Sequence, residues 1–413
     1  MAVLRGVLGI AVLIGLAFAV STDRRGIRIR VVAAAVAMQV ALGGLVLFVP
    51  VGRQALHAVS TVVNTVLGYG TQGTAFLFGG LVDDRMNTLF PGNGFIFALR
   101  ILPQIVYISA LIAILYYYRI MQHLAAFLGG VVRRVLGTST IESFSAVTTI
   151  FLGQSEMPVA LRPYVPLLTR AELFAVMSSG TASVAGSVLA GYAGLGVPMD
   201  YLLAASVMAI PGGLLFAKII MPTREDTRVT RLDLAFGHEH PVNVFEAIAV
   251  GSASGVTVAV AVGSMLIAFI GLIALANGMI HGLGDWLGIA GLSLERLFGV
   301  LFAPLAWLIG VPWHECGVVG AIMGQKLVFN EFVAYLSLAP HFHQATLDAR
   351  SLAIASFALC GFSNLSSVGI LIAGFGSVAP ERRAEIASMG LRAVLAGSLS
   401  NFMSATIAGM FVL

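Results

Sequence analysis

Long apolar runs alternate with short polar stretches along most of the chain. Runs at 3–20, 31–50, 93–118, 171–196, 198–220, 256–278, 351–379 and 388–413 are each long enough, as helices, to cross a membrane. A hydrocarbon core of roughly 30 Å needs about 20 helical residues. The pattern therefore predicts an all-α integral membrane protein with eight transmembrane helices. Segments 54–92 and 119–136 mix apolar with polar positions and are predicted to lie at the membrane interface, as does 279–309 with Asp285 and Glu295 on the outer side. Two further stretches, 137–168 and 310–338, consist of paired apolar arms that are too short to span, meeting at a polar tip. Such segments are predicted as re-entrant hairpins, because broken helices at membrane depth are tolerated where they line a solute pathway.

The first tip reads Gly153, Gln154, Ser155, Glu156, Met157, Pro158, and the second carries Asn330, Glu331 and Phe332. A carboxylate at that depth costs about 3 kcal/mol or more unless it lines a cavity or has a partner. The two hairpins are copies of one plan. Gly137 precedes Glu142 as Gly310 precedes Glu315, and the run Gly186 to Tyr192 matches Gly369 to Phe375 in size and order. Each hairpin is followed by a span rich in small polar residues, Ser178 to Ser183 in the first half and Gly361 to Ser367 in the second, where the helix is expected to unwind. Corresponding interrupted segments in two halves of opposite orientation point to an inverted repeat with a substrate site at the repeat interface. The polar stretch 223–242 is the clear linker between the halves.

Composition supports the membrane assignment. Of 413 residues, 58% are hydrophobic and 10% charged, with a mean hydropathy of +0.97, far outside soluble usage. The net charge of +4 matters less than its placement. Arg24 to Arg30, Arg119 to Arg134, Arg162 to Arg170, Lys218 to Arg231 and Arg382 to Arg392 all fall on one side of the predicted topology, which the positive-inside rule makes cytoplasmic. Both termini are then periplasmic in a bacterial inner membrane. The basic cluster follows the first apolar run instead of preceding it, so that run is read as a span and not a signal peptide. Arg100 is placed near the outer interface, where its stem can snorkel. Cys316 and Cys360 sit in apolar segments without disulfide spacing.

The polar clusters offer carboxylates, amides and hydroxyls without the Lys/Arg character that an anionic substrate demands. A neutral solute rich in hydroxyl and amide groups fits them. No nucleophile with a base and no complete metal set is present, so an enzyme is not expected. His314 and Glu315 open like a zinc-binding H-E-x-x-H, but Val318 stands at the fifth position and the metal reading fails. Glu142 and Glu315 suit structural roles at helix N-termini, and Lys326 is expected to neutralise a neighbouring carboxylate. Hairpins entering from both faces obstruct a continuous pore and favour a carrier over a channel.

Three motifs together resemble the concentrative nucleoside transporter family: Gly153 to Glu156, Asn330 to Ala334, and Gly361 to Ser367. The similarity runs from about residue 20 to the end. It implies a homotrimer in which a fixed scaffold holds a mobile, elevator-like transport domain. On this plan 1–118 is scaffold, 119–221 the first half of the transport domain, 222–278 the linker, amphipathic helix and sixth span, and 279–413 the second half. Gln154, Ser155 and Glu156 are implied to contact the nucleobase with Phe362 nearby, and Glu331, Asn364 and Ser367 to bind the ribose. No cofactor and no nucleic-acid partner is implied. In sodium-coupled members an asparagine five residues before the hairpin glutamine ligates sodium with a serine and backbone carbonyls. Here Thr149 takes that place while Ser183 and the carbonyl positions Leu152, Ser183 and Val184 are kept. Proton coupling is therefore expected, with Glu156 or Glu331 as carrier, and sodium coupling through a weakened site at Thr149 and Ser183 as the alternative.

Overall fold

The computed structural model describes residues 2–83, 85–90, 94–223, 225, 227–229, 241–344 and 346–412. Most of the predicted linker, together with Asp84 and the first residue of the predicted third span, lies outside these residues. The described chain is all-helical. The first half holds α1 (Ala2–Ala19), α2 (Ile29–Leu47), α3 (Pro50–Phe78), α4 (Leu102–Tyr117), α5 (Ile120–Leu136), α6 (Thr140–Thr148), α7 (Arg170–Ala182), α8 (Gly186–Gly194) and α9 (Met199–Ile220). The second half holds α10 (Val244–Leu287), α11 (Leu294–Leu308), α12 (Cys316–Val328), α13 (Glu331–Gln344), α14 (Ala349–Leu359), α15 (Leu365–Val378) and α16 (Arg383–Phe411).

Six segments are individually long and apolar enough to cross a membrane: 29–47, 97–117, 170–194, 199–220, 244–287 and 380–411. Shorter apolar helices occupy 3–19, 349–359 and 365–378. All eight predicted spans thus fall on apolar helices, the fourth and the seventh each as two successive pieces.

α7, α9 and α16 make the buried centre, each covered along most of its length. They approach closely because glycine and small residues face each other. A Cβ at Gly397 would come within 2.5 Å of Thr181 Oγ1, and one at Gly213 within 3.1 Å of Ser179 Cα. Peripheral helices such as α10 leave apolar side chains exposed, including Val260, Ile267 and Leu275, as expected of surfaces whose solvent is lipid.

Several boundaries differ from the sequence expectation. The span at 256–278 and its amphipathic lead-in are one helix of 44 residues, about 66 Å long at 1.5 Å per residue. Asn243 caps its start by accepting the Glu246 N–H (3.0 Å), and Gly288 ends it in the left-handed region (φ 71°). No residue between them forces a break. α3 already begins at Pro50, inside the predicted second span, and the final span begins at Arg383 instead of 388. The second arm of hairpin 1 is not a regular helix. Only Met157–Ala160 and a 3-10 turn at Val165–Leu167 are helical, because Pro158, Pro163 and Pro166 remove donors at short intervals.

The unwinding of the fourth span is also displaced. Ser178 to Ala182 remain helical, and the break covers 183–185. Thr181 Oγ1 donates to Ser178 O (3.0 Å) and to Ala393 O (2.8 Å). Its hydroxyl is thus satisfied by helix backbone, which small polar residues in close-packed membrane helices can use without unwinding. In the second half the break covers 360–364, so it overlaps the expected stretch from Gly361 to Asn364 while Leu365 to Ser367 are already helical.

Candidate functional site

Hairpin 1 is anchored at its base by a capping box. Ser139 Oγ accepts the Glu142 N–H (3.4 Å), and Glu142 Oε2 accepts the Ser139 N–H (3.0 Å). The other oxygen of Glu142 pairs with Lys218, so this acid is structural, as its position suggested. From this base α6 delivers the tip to the interior. Gly153 passes so close to the break after α7 that a Cβ there would lie 3.2 Å from Ala185 Cβ and 3.6 Å from the Phe362 ring.

The two helix breaks are tied to each other. Phe362 N–H donates to Ser183 O (3.1 Å). Asn401, on α16, donates through Nδ2 to Ala182 O (2.6 Å) and Cys360 O (3.0 Å). One amide thereby satisfies a carbonyl at each break, groups that a continuous helix would pair itself. Asn401 Oδ1 in turn accepts from Lys326 Nζ (2.8 Å) and Ser363 Oγ (2.8 Å). Lys326 also donates to Ser363 Oγ (2.6 Å) and Ala358 O (3.1 Å). Lys326 forms no direct ion pair among the described residues: its hydrogen-bond partners are an amide, a hydroxyl and a carbonyl, and its charge acts on the buried Glu331 carboxylate without a bond between them. The Lys326 ammonium has three donors, and the end of α14, the α14–α15 break and α16 each supply one fixed acceptor for them.

Around this frame the substrate candidates converge. Gln154 Nε2 donates to Ser367 Oγ (2.8 Å), joining the hairpin 1 tip to α15, while Gln154 Oε1 is buried with no hydrogen-bond partner. Ser367 Oγ donates to Phe362 O. Asn364 caps α15 by accepting the Ser367 N–H (3.0 Å) and donates to Glu331 Oε2 (3.0 Å). Glu331 Oε1 accepts from Tyr192 OH (3.0 Å). Glu331 is only 4% exposed. Each of its oxygens, holding one donor, retains a lone pair for another.

Ser155 and Glu156 sit apart from that group. They face a cavity of about 460 Å³ bounded by hairpin 1, α4, α8 and α10, with Tyr116, Phe151 and Ser187 in its wall. Glu156 Oε2 accepts the Gly153 N–H (3.4 Å) and has no ion-pair partner among the described residues.

The proposed ion positions are brought together. Ser183 Oγ donates to Thr149 O (3.0 Å) and Ser179 O (3.2 Å), and Thr149 Oγ1 donates to Ala146 O (2.9 Å). Gly186 N–H reaches Phe151 O (3.3 Å) across the same seam, with Leu152 and Val184 beside it in sequence. Thr149 and Ser183 hydroxyls both spend their protons on main-chain carbonyls, and one of those carbonyls is Thr149's own.

Two residues of the site escaped the sequence reading. Tyr192 carried a signal, since its repeat partner is Phe375 and only the first copy bears a hydroxyl. Asn401 carried no motif and is recognisable only by its place opposite both breaks. His314 and Glu315, dismissed as a zinc motif by spacing, lie beside Asp348 with one donor atom of each within 4.8 Å. Glu315 Oε1 there accepts the Asp348 N–H (2.9 Å), a structural link between hairpin 2 and α14.

Comparison with known proteins gives a consistent result. Residues 201–409 match the family described as Na+ dependent nucleoside transporter C-terminus, 8–81 the corresponding N-terminus, and 98–199 a domain described as nucleoside recognition. The nucleoside permease NupC of Helicobacter pylori is 45% identical over 98% of this chain and 97% of its own length. An uncharacterized transporter of Haemophilus influenzae is 49% identical over 100% of this chain and 98% of its own. The structure of CNTnw in an inward-facing substrate-bound state is 52% identical, covers 100% of this chain and 98% of that one, and superposes with a TM-score of 0.95.

Proposed function

The chain belongs to the concentrative nucleoside transporter family, and from that membership we propose that it imports nucleosides across the bacterial inner membrane by proton symport. The observation that carries this reading is the convergence of both hairpin tips and both helix breaks on one polar cluster, through the pairs Gln154–Ser367 and Glu331–Asn364. A neutral solute bearing a diol and an amide-edged base finds complementary groups there, with acceptors at Glu331 and amide and hydroxyl groups at Gln154, Asn364 and Ser367.

In this proposal Glu331, Asn364 and Ser367 hold the ribose hydroxyls, because two carboxylate oxygens can accept both protons of a vicinal diol through charge-assisted bonds. Gln154, Ser155 and Glu156 face the nucleobase, and Phe362 packs near it. The buried, unpartnered Gln154 Oε1 supports a role in recognition, since an amide acceptor left without a donor is costly unless a ligand uses it. The chain crosses the membrane eight times with two re-entrant hairpins and both termini periplasmic. It assembles as a homotrimer whose scaffold carries an elevator-like transport domain, and the exposed apolar length of α10 is a surface for lipid and partner subunits.

Proton coupling follows from chemistry at Thr149. Its hydroxyl is a shorter ligand than an amide oxygen, and its proton is committed to Ala146 O. Glu156 or Glu331 then carries the proton. Sodium coupling through Thr149, Leu152, Ser183 and Val184 is the second reading, favoured by the proximity of Ser183 Oγ to Thr149 O. Counterflow in proteoliposomes tests the carrier assignment. Preloaded unlabelled uridine should accelerate entry of labelled uridine, and entry indifferent to the internal solute would contradict a carrier.

A further inference from the structure

In the proposed topology Arg5 and Arg350 stand on the side of the membrane opposite the large basic cluster at Arg24 to Arg30. α1 has 18 residues and rises about 27 Å, so Arg5, one turn from its outer end, reaches headgroup level when Arg24 and Arg25 occupy the other interface. Arg350 arrives from the first turn of α14. Both guanidiniums converge on Gly310. Arg5 Nη2 donates to Gly310 O, and a Cβ at Gly310 would lie 3.4 Å from Arg350 Nη2. Arg5 also stacks over Trp307, 5.7 Å from the ring centroid.

Neither arginine has an acidic partner among the described residues. Arg5 Nε, Arg350 Nε and Arg350 Nη2 are shielded from solvent and have no hydrogen-bond acceptor. Glu315 is engaged with the Asp348 backbone and, at 3.8 Å, with His314, and the Asp348 carboxylate lies beside that pair and forms no ion pair with either arginine. Two like charges with unspent donors call for a shared anion, and planar guanidinium forks match phosphate oxygens.

The arginines close one end of a groove of about 690 Å³ lined by Leu4, Val7, Leu8, Ala11 and Trp307. The four α1 residues follow helical spacing and form one apolar stripe, with Leu4, Val7 and Leu8 exposed. A free phosphate makes no use of that stripe, whereas an acyl chain does. We propose that this groove binds an anionic phospholipid of the outer leaflet, its phosphodiester bridging Arg5 and Arg350 and an acyl chain lying along α1. The headgroup would tie α1 to the start of α14.

Delipidated protein in neutral detergent, titrated with phosphatidylglycerol or phosphatidylcholine and read by native mass spectrometry, tests this. Two guanidiniums should give phosphatidylglycerol at least about a tenfold preference. Arg350→Gln should reduce that preference and Arg5→Gln/Arg350→Gln abolish it, with uridine binding reporting that the variants are folded. In the unaltered protein, brominated phosphatidylglycerol should quench the part of the tryptophan emission that is lost in Trp307→Phe, and brominated phosphatidylcholine should do so about tenfold less readily. Equal binding of the two lipids, or quenching that ignores the headgroup, would overturn the proposal. Inorganic phosphate displacing the lipid at equal concentration would overturn the lipid assignment in favour of a phosphate site.

Discussion

The hydroxyl of Tyr192 donates to Glu331 Oε1 at 3.0 Å, joining the broken helix of one repeat to the hairpin tip of the other. Tyr192 is fully buried, with its ring 4.5 Å from that of Tyr335 and 4.7 Å from that of Phe332. The ring is therefore held by packing and the hydroxyl aims the carboxylate. Tyr192→Phe keeps the packing and removes the donor, which for a bond to a charged group is worth about 1.5–3 kcal/mol. Uridine affinity should fall roughly tenfold or more by calorimetry. An unchanged affinity would mean that Glu331 is positioned without Tyr192.

Glu331→Gln replaces an acceptor of up to four hydrogen bonds by a group with half that capacity. Binding should be nearly lost, and 2′,3′-dideoxyuridine should bind the unaltered protein poorly for the same reason. Equal affinities for the ribo and dideoxy compounds would remove the ribose from this residue.

Gln154→Ala and Ser155→Ala should change the ranking of uridine, cytidine and adenosine more than they change dependence on the ribose hydroxyls. Competition assays read this directly. The two variants should differ, since Gln154 also binds Ser367 while Ser155 is exposed to the cavity. An unaltered ranking in both would move base recognition elsewhere.

Asn401→Ala should destabilise the protein without touching substrate. It strips a partner from Lys326, Ser363 and two carbonyls at the breaks. Leaving a buried cation and several polar groups short of partners costs about 3–5 kcal/mol. Thermal unfolding in detergent should show a clear fall in midpoint, and an unshifted midpoint would mean that the breaks do not depend on this residue.

The contrast between these residues explains what the sequence could reveal. Glu156, Glu331 and Asn364 are legible because polar groups in apolar runs have few uses at membrane depth, and Glu156 and Asn364 also because Pro158 and Gly361 stand close by. Thr181 misleads for the converse reason: its hydroxyl bonds the helix that bears it, so a small polar residue in an apolar run does not by itself require unwinding. Lys326 could not be assigned a partner because Asn401 lies in another span and belongs to no motif. The continuity of α10 was hidden because an amphipathic start and an apolar span differ in composition while nothing between them stops the helix.

Thr149→Asn should convert or broaden the coupling. An amide oxygen in place of the hydroxyl reaches farther toward the seam with Ser183 and Val184, and sodium should then stimulate uptake by the variant more than by the unaltered protein. No added response to sodium would mean that the remaining positions no longer form a cation site.

The most direct measurement is uptake of labelled uridine into proteoliposomes under separately imposed gradients. One proton per nucleoside suffices energetically, since about 100 mV supplies about 2.3 kcal/mol per charge, or roughly a fiftyfold gradient. An inward proton gradient without sodium should drive accumulation, and a sodium gradient at matched pH with the potential clamped should not. Accumulation that follows sodium and ignores pH would contradict proton symport and make Thr149 part of a working sodium site.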